Sequence, residues 1–485
     1  MNLHQLFIKS CQNNPQALAL SDYLGCISYA DLEKIIRLMV QTFHDLGIGP
    51  GDKVGLFLPK SRYAVAVMQA ALRLGAAYVP LDPQSPLERI HIIIKDCQLN
   101  LLITQDSLIK NFSFGDLKIV LIHDELEKNS WYAINLNEQS LISRDYNDDE
   151  LAYILYTSGS TGIPKGICIS HQNAYAFIKW SVETIKPCQK DRFANHAPFH
   201  FDLSVFDLYV SFYVGASVYL IPESKAYLAD SLINFINHYQ ISIWYSVPSV
   251  LLLIMQKYDF LNNKNLSLRI IIFAGEVFPI KQFYKLQQAY PGINYFNFYG
   301  PTETNVCMYY QCNFLPKNMH SIPIGMPACN SKFYIKNHAN YQSNIGELII
   351  QGPTVMKGYW GDNISIKKDI FSTGDLVKVL PNGLLEYLGR IDNQIKIRGH
   401  RIELEEIEKI LMKHDFIEQA AVKVEGHGLE SKLISYVVSS SNQLTLINVK
   451  AHCAKYLPRY MIIDALRVVS ELPLNSNGKL NRSAL

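Results

Sequence analysis

Residues 157–166 read Thr-Ser-Gly-Ser-Thr-Gly-Ile-Pro-Lys-Gly, a run of small hydroxylated residues and glycines just ahead of one lysine. Glycine lets backbone N–H groups approach an anion closely, hydroxyls add donors, and Lys165 supplies a positive point charge. The run follows Leu151-Ala-Tyr-Ile-Leu-Tyr156, apolar and aromatic enough to form a buried strand. A strand delivering such a loop can cradle the phosphates of a nucleotide. It is not the common phosphate loop. That pattern needs Gly-x4-Gly-Lys-Ser/Thr, whereas Pro164 precedes Lys165 and Gly166 follows it. The plain alternative, a solvated Gly/Ser turn, suits shorter runs better than ten ordered positions after an apolar strand.

Other polar and glycine-rich islands stand in a fixed order around this loop. Leu74-Gly-Ala-Ala-Tyr-Val-Pro-Leu-Asp-Pro83 precedes it. Asn297-Phe-Tyr-Gly-Pro-Thr-Glu303, Gly346-Glu-Leu-Ile-Ile-Gln-Gly352 and Ser372-Thr-Gly-Asp-Leu376 follow. Gly389-Arg-Ile-Asp-Asn-Gln-Ile-Lys-Ile-Arg-Gly-His-Arg-Ile-Glu403 and Asn477-Gly-Lys479 complete the set. Each alone is weak; seven in order along nearly the whole chain are strong.

These islands need a large scaffold. At 485 residues the chain exceeds what one hydrophobic core supports, so two or more domains are expected. A hydrophobic content of 48% with 18% charged residues is ordinary for a globular enzyme, and a net charge of +2 makes no electrostatic case for nucleic acid or a membrane surface. Nine cysteines without a Cys-x-x-Cys pair fit free thiols in a reducing cytoplasm. The N-terminus lacks a basic segment followed by an apolar stretch, so no signal peptide is expected, and no apolar run approaches a membrane span.

Apolar strand-like runs at Val54–Leu58, Leu101–Thr104, Ile119–Ile122, Ser217–Ile221, Ile241–Tyr245 and Arg269–Phe273 alternate with amphipathic stretches such as Tyr63–Leu74. That rhythm predicts an α/β architecture with largely parallel sheets. Near 330–350 it shifts to short runs with turns, which predicts antiparallel β structure. Asp145–Glu150 reads as a polar linker between subdomains. A second boundary is expected near Gly389. It divides the chain into residues 1–388 and a compact α+β unit, 389–485, with a helix over Glu403–Lys413 and strands over Ala420–Val424 and Leu433–Val438.

The ordered islands resemble those of the acyl-adenylate-forming enzymes, specifically the amino-acid adenylation domains of nonribosomal peptide synthesis. The resemblance implies an α/β fold: a large N-terminal domain of two α/β subdomains plus a small β-barrel, and a small α+β C-terminal domain joined by a hinge. It implies an ATP- and Mg²⁺-dependent ligase that turns a carboxylate into an acyl-adenylate and passes the acyl group to a carrier's phosphopantetheine thiol. A carboxylate attacking ATP meets like charge, so catalysis must come from positioning and charge neutralisation. On this resemblance Thr157, Ser158, Gly159, Ser160, Thr161, Gly162 and Lys165 surround the β- and γ-phosphates. Tyr299 stacks on adenine, Asn297 lines the adenine site, Gly300 and Tyr387 are further ATP-binding positions, and Thr302 contacts the α-phosphate. Glu303 holds Mg²⁺, a hard cation suited to oxygen ligands. Asp375 accepts the ribose hydroxyls, and Arg390 makes a second ribose contact. Lys479 bridges the substrate carboxylate and the nucleotide, so Lys479, Lys165, Thr302 and Glu303 form the catalytic set. Asp392 takes the hinge position and Gly399 the loop near the carrier's pantetheine arm, although Asp392 also suits a helix cap or a turn.

For the substrate, His200-Phe-Asp-Leu-Ser-Val-Phe-Asp-Leu208 carries Asp202 where the family pairs the α-ammonium. An acid in an apolar pocket is costly unless paired, so it selects an amine. Asp207 is read as structural. The other walls carried over are Leu203, Phe206, Tyr245, Ile272, Ala274, Gly275, Phe298, Val306 and Cys307. Apart from Asp202 and Lys479 they offer no charge, so a small to medium apolar side chain is expected. Asp202, Leu203, Tyr245, Val306 and Cys307 together resemble the stand-alone L-prolyl–carrier-protein ligases, with Phe298 bulkier than expected at its position. Two alternatives stay open. D-alanyl–carrier ligases share Phe-Asp-Leu-Ser but carry a cysteine where this chain has Ala274; acyl-CoA or fatty-acyl–AMP ligases have no ammonium for Asp202 to pair with. Six residues follow Lys479, so the expected carrier is a separate protein acting in trans, with no nucleic-acid or membrane partner.

Overall fold

The computed structural model describes residues 1–485 except 110, 111, 113, 123–145, 160–162, 264, 265, 314, 316–320, 338–343, 363–368, 427, 440, 442 and 474–479. The chain divides into two compact units. One comprises Met1–Pro83, Cys97–Leu155 and Gly166–Gly389; the other comprises Gln84–Asp96, Tyr156–Lys165 and Arg390–Leu485.

Two large sheets form the first unit. In the seven-stranded sheet, Lys53–Phe57 lies between Ala77–Pro80 and Leu101–Thr104, all parallel, with Leu151–Thr157 and Lys165–Ser170 continuing the order. The central strands are near-continuous apolar runs because helices cover such parallel sheets on both faces. The helix Arg62–Arg73 crosses between two of these strands; Ser61 starts it by accepting the backbone N–H of Ala64. In the nine-stranded sheet, Arg192–Asn195, Ile243–Ser246, Ile270–Ala274 and Asn294–Tyr299 run parallel, and Met308–Gln311 and then Met326–Pro327 extend one side antiparallel. The expected antiparallel segment is a four-stranded sheet of Lys332–Asn337, Ile345–Gln351, Ile370–Val379 and Leu385–Arg390. In the other unit, Gln394–Ile397 pairs with His400–Glu403. The helix Leu404–Leu411 packs on a three-stranded sheet of Gln419–Glu425, Lys432–Val438 and Ala465–Val468.

The polar segment read as a linker does not separate units. Asp145 lies outside the described residues, but Tyr146–Glu150 is tied into the first unit. Tyr146 Oη donates to Arg73 O at 3.2 Å, Asp148 binds the N-terminal ammonium, and Glu150 O accepts His171 N–H at 3.0 Å. Its polarity marks hydrogen-bonding capacity that the fold uses, although Asn147 and Asp149 stay exposed. Among the described residues no helix is long and apolar enough to cross a membrane.

Arg73, 4% exposed, ends the helix Arg62–Arg73 with a bidentate pair to Glu33 at 2.9 and 2.6 Å; Arg37 holds the same carboxylate at 2.8 Å. Removing one partner of a buried pair leaves a charge uncompensated, so Arg73→Met should cost about 3 kcal/mol in urea unfolding. Lys34→Met, at an exposed pair with Asp31, should cost under about 0.5 kcal/mol in the same measurement.

Candidate active site

The register of three adjacent parallel strands brings the pocket residues together. Tyr245 lies opposite Ile272 and Ile272 opposite Phe296, while Ala274 lies opposite Phe298. Side chains two residues apart share a face of a strand, so Tyr245, Ile272, Ala274 and Phe298 all project from one side of the sheet. Phe206 meets this face from the segment after Asp202. Its ring lies 5.2 Å from Tyr245 and 6.4 Å from Phe298, and Tyr245 lies 5.8 Å from Phe298, all edge-to-face. That segment starts as the short helix Leu203–Val205, widens to a π-helical turn over Phe206–Val210, and continues as Ser211–Val214. Asp202 and Leu203 are half-buried at its start.

Two residues absent from the sequence reading join the group. Trp180 stacks obliquely on Phe298 at 5.3 Å, which accommodates the bulk of that ring. Its position three residues after buried Phe177 on the helix His171–Ile185 was the available signal. Tyr153, on the strand Leu151–Thr157, and Tyr245 both lie within the field of Asp202. Burial first, and then the Asp202 charge, hold both phenols above the ordinary tyrosine range. An acid coupled to two neutral phenols suits a cationic partner.

The end of the strand Asn294–Tyr299 runs into a tight turn. Cys307 N–H donates to Tyr299 O at 2.9 Å, Thr304 N–H to Pro301 O at 2.9 Å, and Val306 N–H to the Asn305 side chain at 2.7 Å. Gly300 is required here, because a Cβ on it would collide with the carbonyl oxygen of Asn305. The turn presents half-buried Thr302 and holds Glu303 at 1% exposure, its carboxylate accepting Tyr359 Oη–H at 2.8 Å. Tyr299 Oη donates to the carboxylate of Asp375, which also receives its own backbone order from Asp375 N–H donating to Thr373 Oγ1 at 3.1 Å. Burial, then the Asp375 charge, keep the Tyr299 phenol protonated far beyond neutral pH. Tyr387 lies 6.4 Å from the Tyr299 ring, and Asn297 donates Nδ2 to Pro323 O at 2.8 Å. Tyr299, Asp375 and Tyr387 thus form one cluster.

Glu303 fits a divalent cation of a particular kind. Among the described residues no group of three or more His, Cys, Asp or Glu side chains could hold a metal ion. A cation at this carboxylate would take one protein oxygen and complete its shell from a nucleotide and water, the usual manner for Mg²⁺.

The remaining candidates belong to the other compact unit. Thr157 and Ser158 follow the strand core, and Ser158 Oγ donates to Arg401 O at 2.9 Å. Gly159 N–H donates to Glu406 Oε2 at 3.3 Å, and Glu406 in turn pairs with Arg89. A Cβ on Gly159 would collide with Ile163 O, so the loop needs glycine there. Lys165 begins the strand Lys165–Ser170. Ser160, Thr161, Gly162 and Lys479 lie outside the described residues. Arg390 is chelated by Asp392 through two 2.6 Å bonds, and Asp392 Oδ1 also accepts Gln394 N–H at 3.1 Å. The turn arrangement that the sequence left open for Asp392 is therefore present. Burial alone would raise the Asp392 carboxyl, but Arg390 outweighs it and holds the group below the usual range.

A fold of parallel sheets that sets a buried acid on a glycine turn beside a tyrosine–aspartate pair defines a nucleotide-using enzyme class. The chain belongs to the AMP-binding enzyme family, which matches residues 7–360, and the AMP-binding enzyme C-terminal domain matches residues 406–479. It is 42% identical over 491 aligned positions to the L-proline–[L-prolyl-carrier protein] ligase of Pseudomonas fluorescens, covering 100% of this chain and 98% of that one. A protein of the same name from Streptomyces coelicolor is 34% identical, over 93% of this chain and 90% of that one. Among solved structures, the Vibrio cholerae adenylation domain AlmE, in complex with glycyl-adenosine-5'-phosphate, superposes with a TM-score of 0.82 at 25% identity, covering 99% of this chain and 96% of that one.

Tyr299→Phe keeps the ring and removes the hydroxyl that orients the buried Asp375 carboxylate. A hydrogen bond to a charged group contributes about 1.5–3 kcal/mol, so KM for ATP should rise roughly tenfold or more while KM for the acid stays within about twofold. Steady-state kinetics with each substrate varied in turn reads both.

Proposed function

We propose that this chain activates L-proline with ATP to form prolyl-AMP and pyrophosphate, then passes the prolyl group to the phosphopantetheine thiol of a separate carrier protein. The observation that carries this reading is Asp202 beside an otherwise uncharged, aromatic-walled pocket. An α-ammonium pairs with the acid, and a compact apolar ring fits the face built by Phe206, Tyr245 and Phe298. Identity of 42% along the full chain to a ligase named for L-proline and its carrier supports the substrate and the partner.

In the first step a carboxylate oxygen of the amino acid attacks the α-phosphorus, a new P–O bond forms, and the bond to pyrophosphate breaks. Thr157, Ser158, Gly159, Ser160, Thr161 and Gly162 supply donors to the β- and γ-phosphates, with Lys165 as the point charge. Asn297, Gly300, Tyr299 and Tyr387 hold the adenine; Asp375, oriented by Tyr299, takes the ribose hydroxyls, and Arg390 makes a second ribose contact. Thr302 donates to the α-phosphate. Glu303 would hold Mg²⁺, which when bound would supply charge neutralisation on the phosphates. Lys479 bridges the attacking carboxylate and the nucleotide, offsetting the like-charge repulsion. In the second step the carrier thiolate attacks the acyl carbonyl, a thioester forms, and AMP leaves. Residues 1–388 form the adenylating core, residues 389–485 the mobile domain that carries Lys479, Asp392 the hinge, and Gly399 the pantetheine approach. Nine free cysteines fit a reducing cytoplasm.

ATP–pyrophosphate exchange across the twenty amino acids and D-alanine should peak with L-proline. A maximum with D-alanine, or activity only with fatty acids, sinks the assignment. Asp202→Ala should raise KM for proline by about a hundredfold, since it strands a buried ammonium, and leave KM for ATP within about twofold. Equal losses for both substrates would count against the pairing.

A further inference from the structure

Behind the pocket wall lies a buried polar group that the reaction above does not use. Lys60 is 6% exposed and sits between the strand Lys53–Phe57 and the helix Arg62–Arg73. Its ammonium donates to Asn195 O at 3.0 Å and His196 O at 2.9 Å, where the strand Arg192–Asn195 ends. The Asn195 side chain donates Nδ2 to Asp207 Oδ2 at 3.0 Å, and Asp207, 1% exposed, is the residue after Phe206 in the π-helical turn. Among the described residues Asn195 Oδ1 finds no hydrogen-bond partner, so this side chain keeps its place for the bond to Asp207 despite an unmet acceptor. On the other side, the His196 ring is fixed to Ala226 O at 2.9 Å and lies 5.8 Å from Trp244, the neighbour of Tyr245.

A π-helical turn is rare, occurs mostly as a single turn within an α-helix, and recurs at functional sites. Here the holding groups start at one lysine. A buried ammonium is costly unless several acceptors meet it. Two carbonyls do; burial lowers the ammonium's pKa to about 8, with the charge of Glu223 opposing that shift, while burial pushes the Asp207 carboxyl well above its usual range. A leucine or methionine would fill the same space without that cost. The charge is used to pin two carbonyls.

We propose that Lys60 is a positioning residue for amino-acid selection. Clamped on the carbonyls of Asn195 and His196, it holds the π-helical turn that carries Phe206 in register with the strand that carries Tyr245. It touches neither substrate, and its role rests on the amino-acid-activating reading of the pocket. Lys60→Met removes the clamp and keeps the volume. KM for proline in pyrophosphate exchange should rise about tenfold, the worth of hydrogen bonds to a charge, with KM for ATP within about twofold. Exchange with larger apolar amino acids should rise relative to proline. Lys60→Arg, which can still donate to both carbonyls, should recover most of the loss. An unchanged proline KM, or equal rises for proline and ATP, overturns the proposal. Should Lys60→Met fail to fold, Asn195→Ala cuts only the link to Asp207 and should raise the proline KM several-fold; no rise overturns the proposal equally. A wild-type enzyme that prefers another acid overturns the proline reading alone, because the same KM comparison made with that acid still decides the role of Lys60. A wild type inactive with every amino acid overturns both.

Discussion

Three strands held in step underlie the site. With Tyr245 opposite Ile272 and Ala274 opposite Phe298, the wall side chains share one face of the sheet, and a slip of one residue would turn the whole set to the other face. The opposite face is committed as well. Trp244, Ile271, Phe273 and Tyr295 point into a separate apolar cluster. Both faces being buried, register is specified twice, and the pocket inherits the rigidity of two cores. The turn after Tyr299 depends on the same order, since its first hydrogen bond closes on the last residue of the strand.

Three ionic groups of the first unit are each met by several hydrogen bonds. Glu33 has two arginines, Asp22 takes Arg62 through both oxygens, and Lys60 has two carbonyls. Asp202 is half-buried, and after burial its charge helps the Tyr153 and Tyr245 phenols retain their protons.

Strands and helices were legible to within a residue or two because the chain punctuates apolar runs sharply. Leu101–Thr104 coincides with its expected span, and Val54–Leu58 and Tyr63–Leu74 shift by one. The glycine turn at Gly300 could be read because its residue types and spacing are unusual, whereas the candidate wall residues came only from the family resemblance. Lys60 could not. Its acceptors are main-chain atoms 135 and 136 residues away, which no local pattern announces. Trp180 and Tyr153 were hidden for another reason: an aromatic on a buried face reads as core until the acid or ring beside it is known. Asp145–Glu150 misled because polarity measures hydrogen-bonding capacity, and here the fold consumes it.

The edge-to-face triangle of Phe206, Tyr245 and Phe298 has an evolutionary corollary. Its members come from separate elements and meet only through their side chains, so one ring can be exchanged for a smaller group without disturbing any main-chain hydrogen bond. The turn that carries Glu303 has no such latitude, since Gly300 admits no Cβ and its backbone bonds are shared along its length. On the amino-acid-activating reading proposed above, descent with this architecture diversifies diet faster than chemistry: a lineage can acquire a new monomer through a few volume changes while the machinery that spends the nucleotide stays frozen.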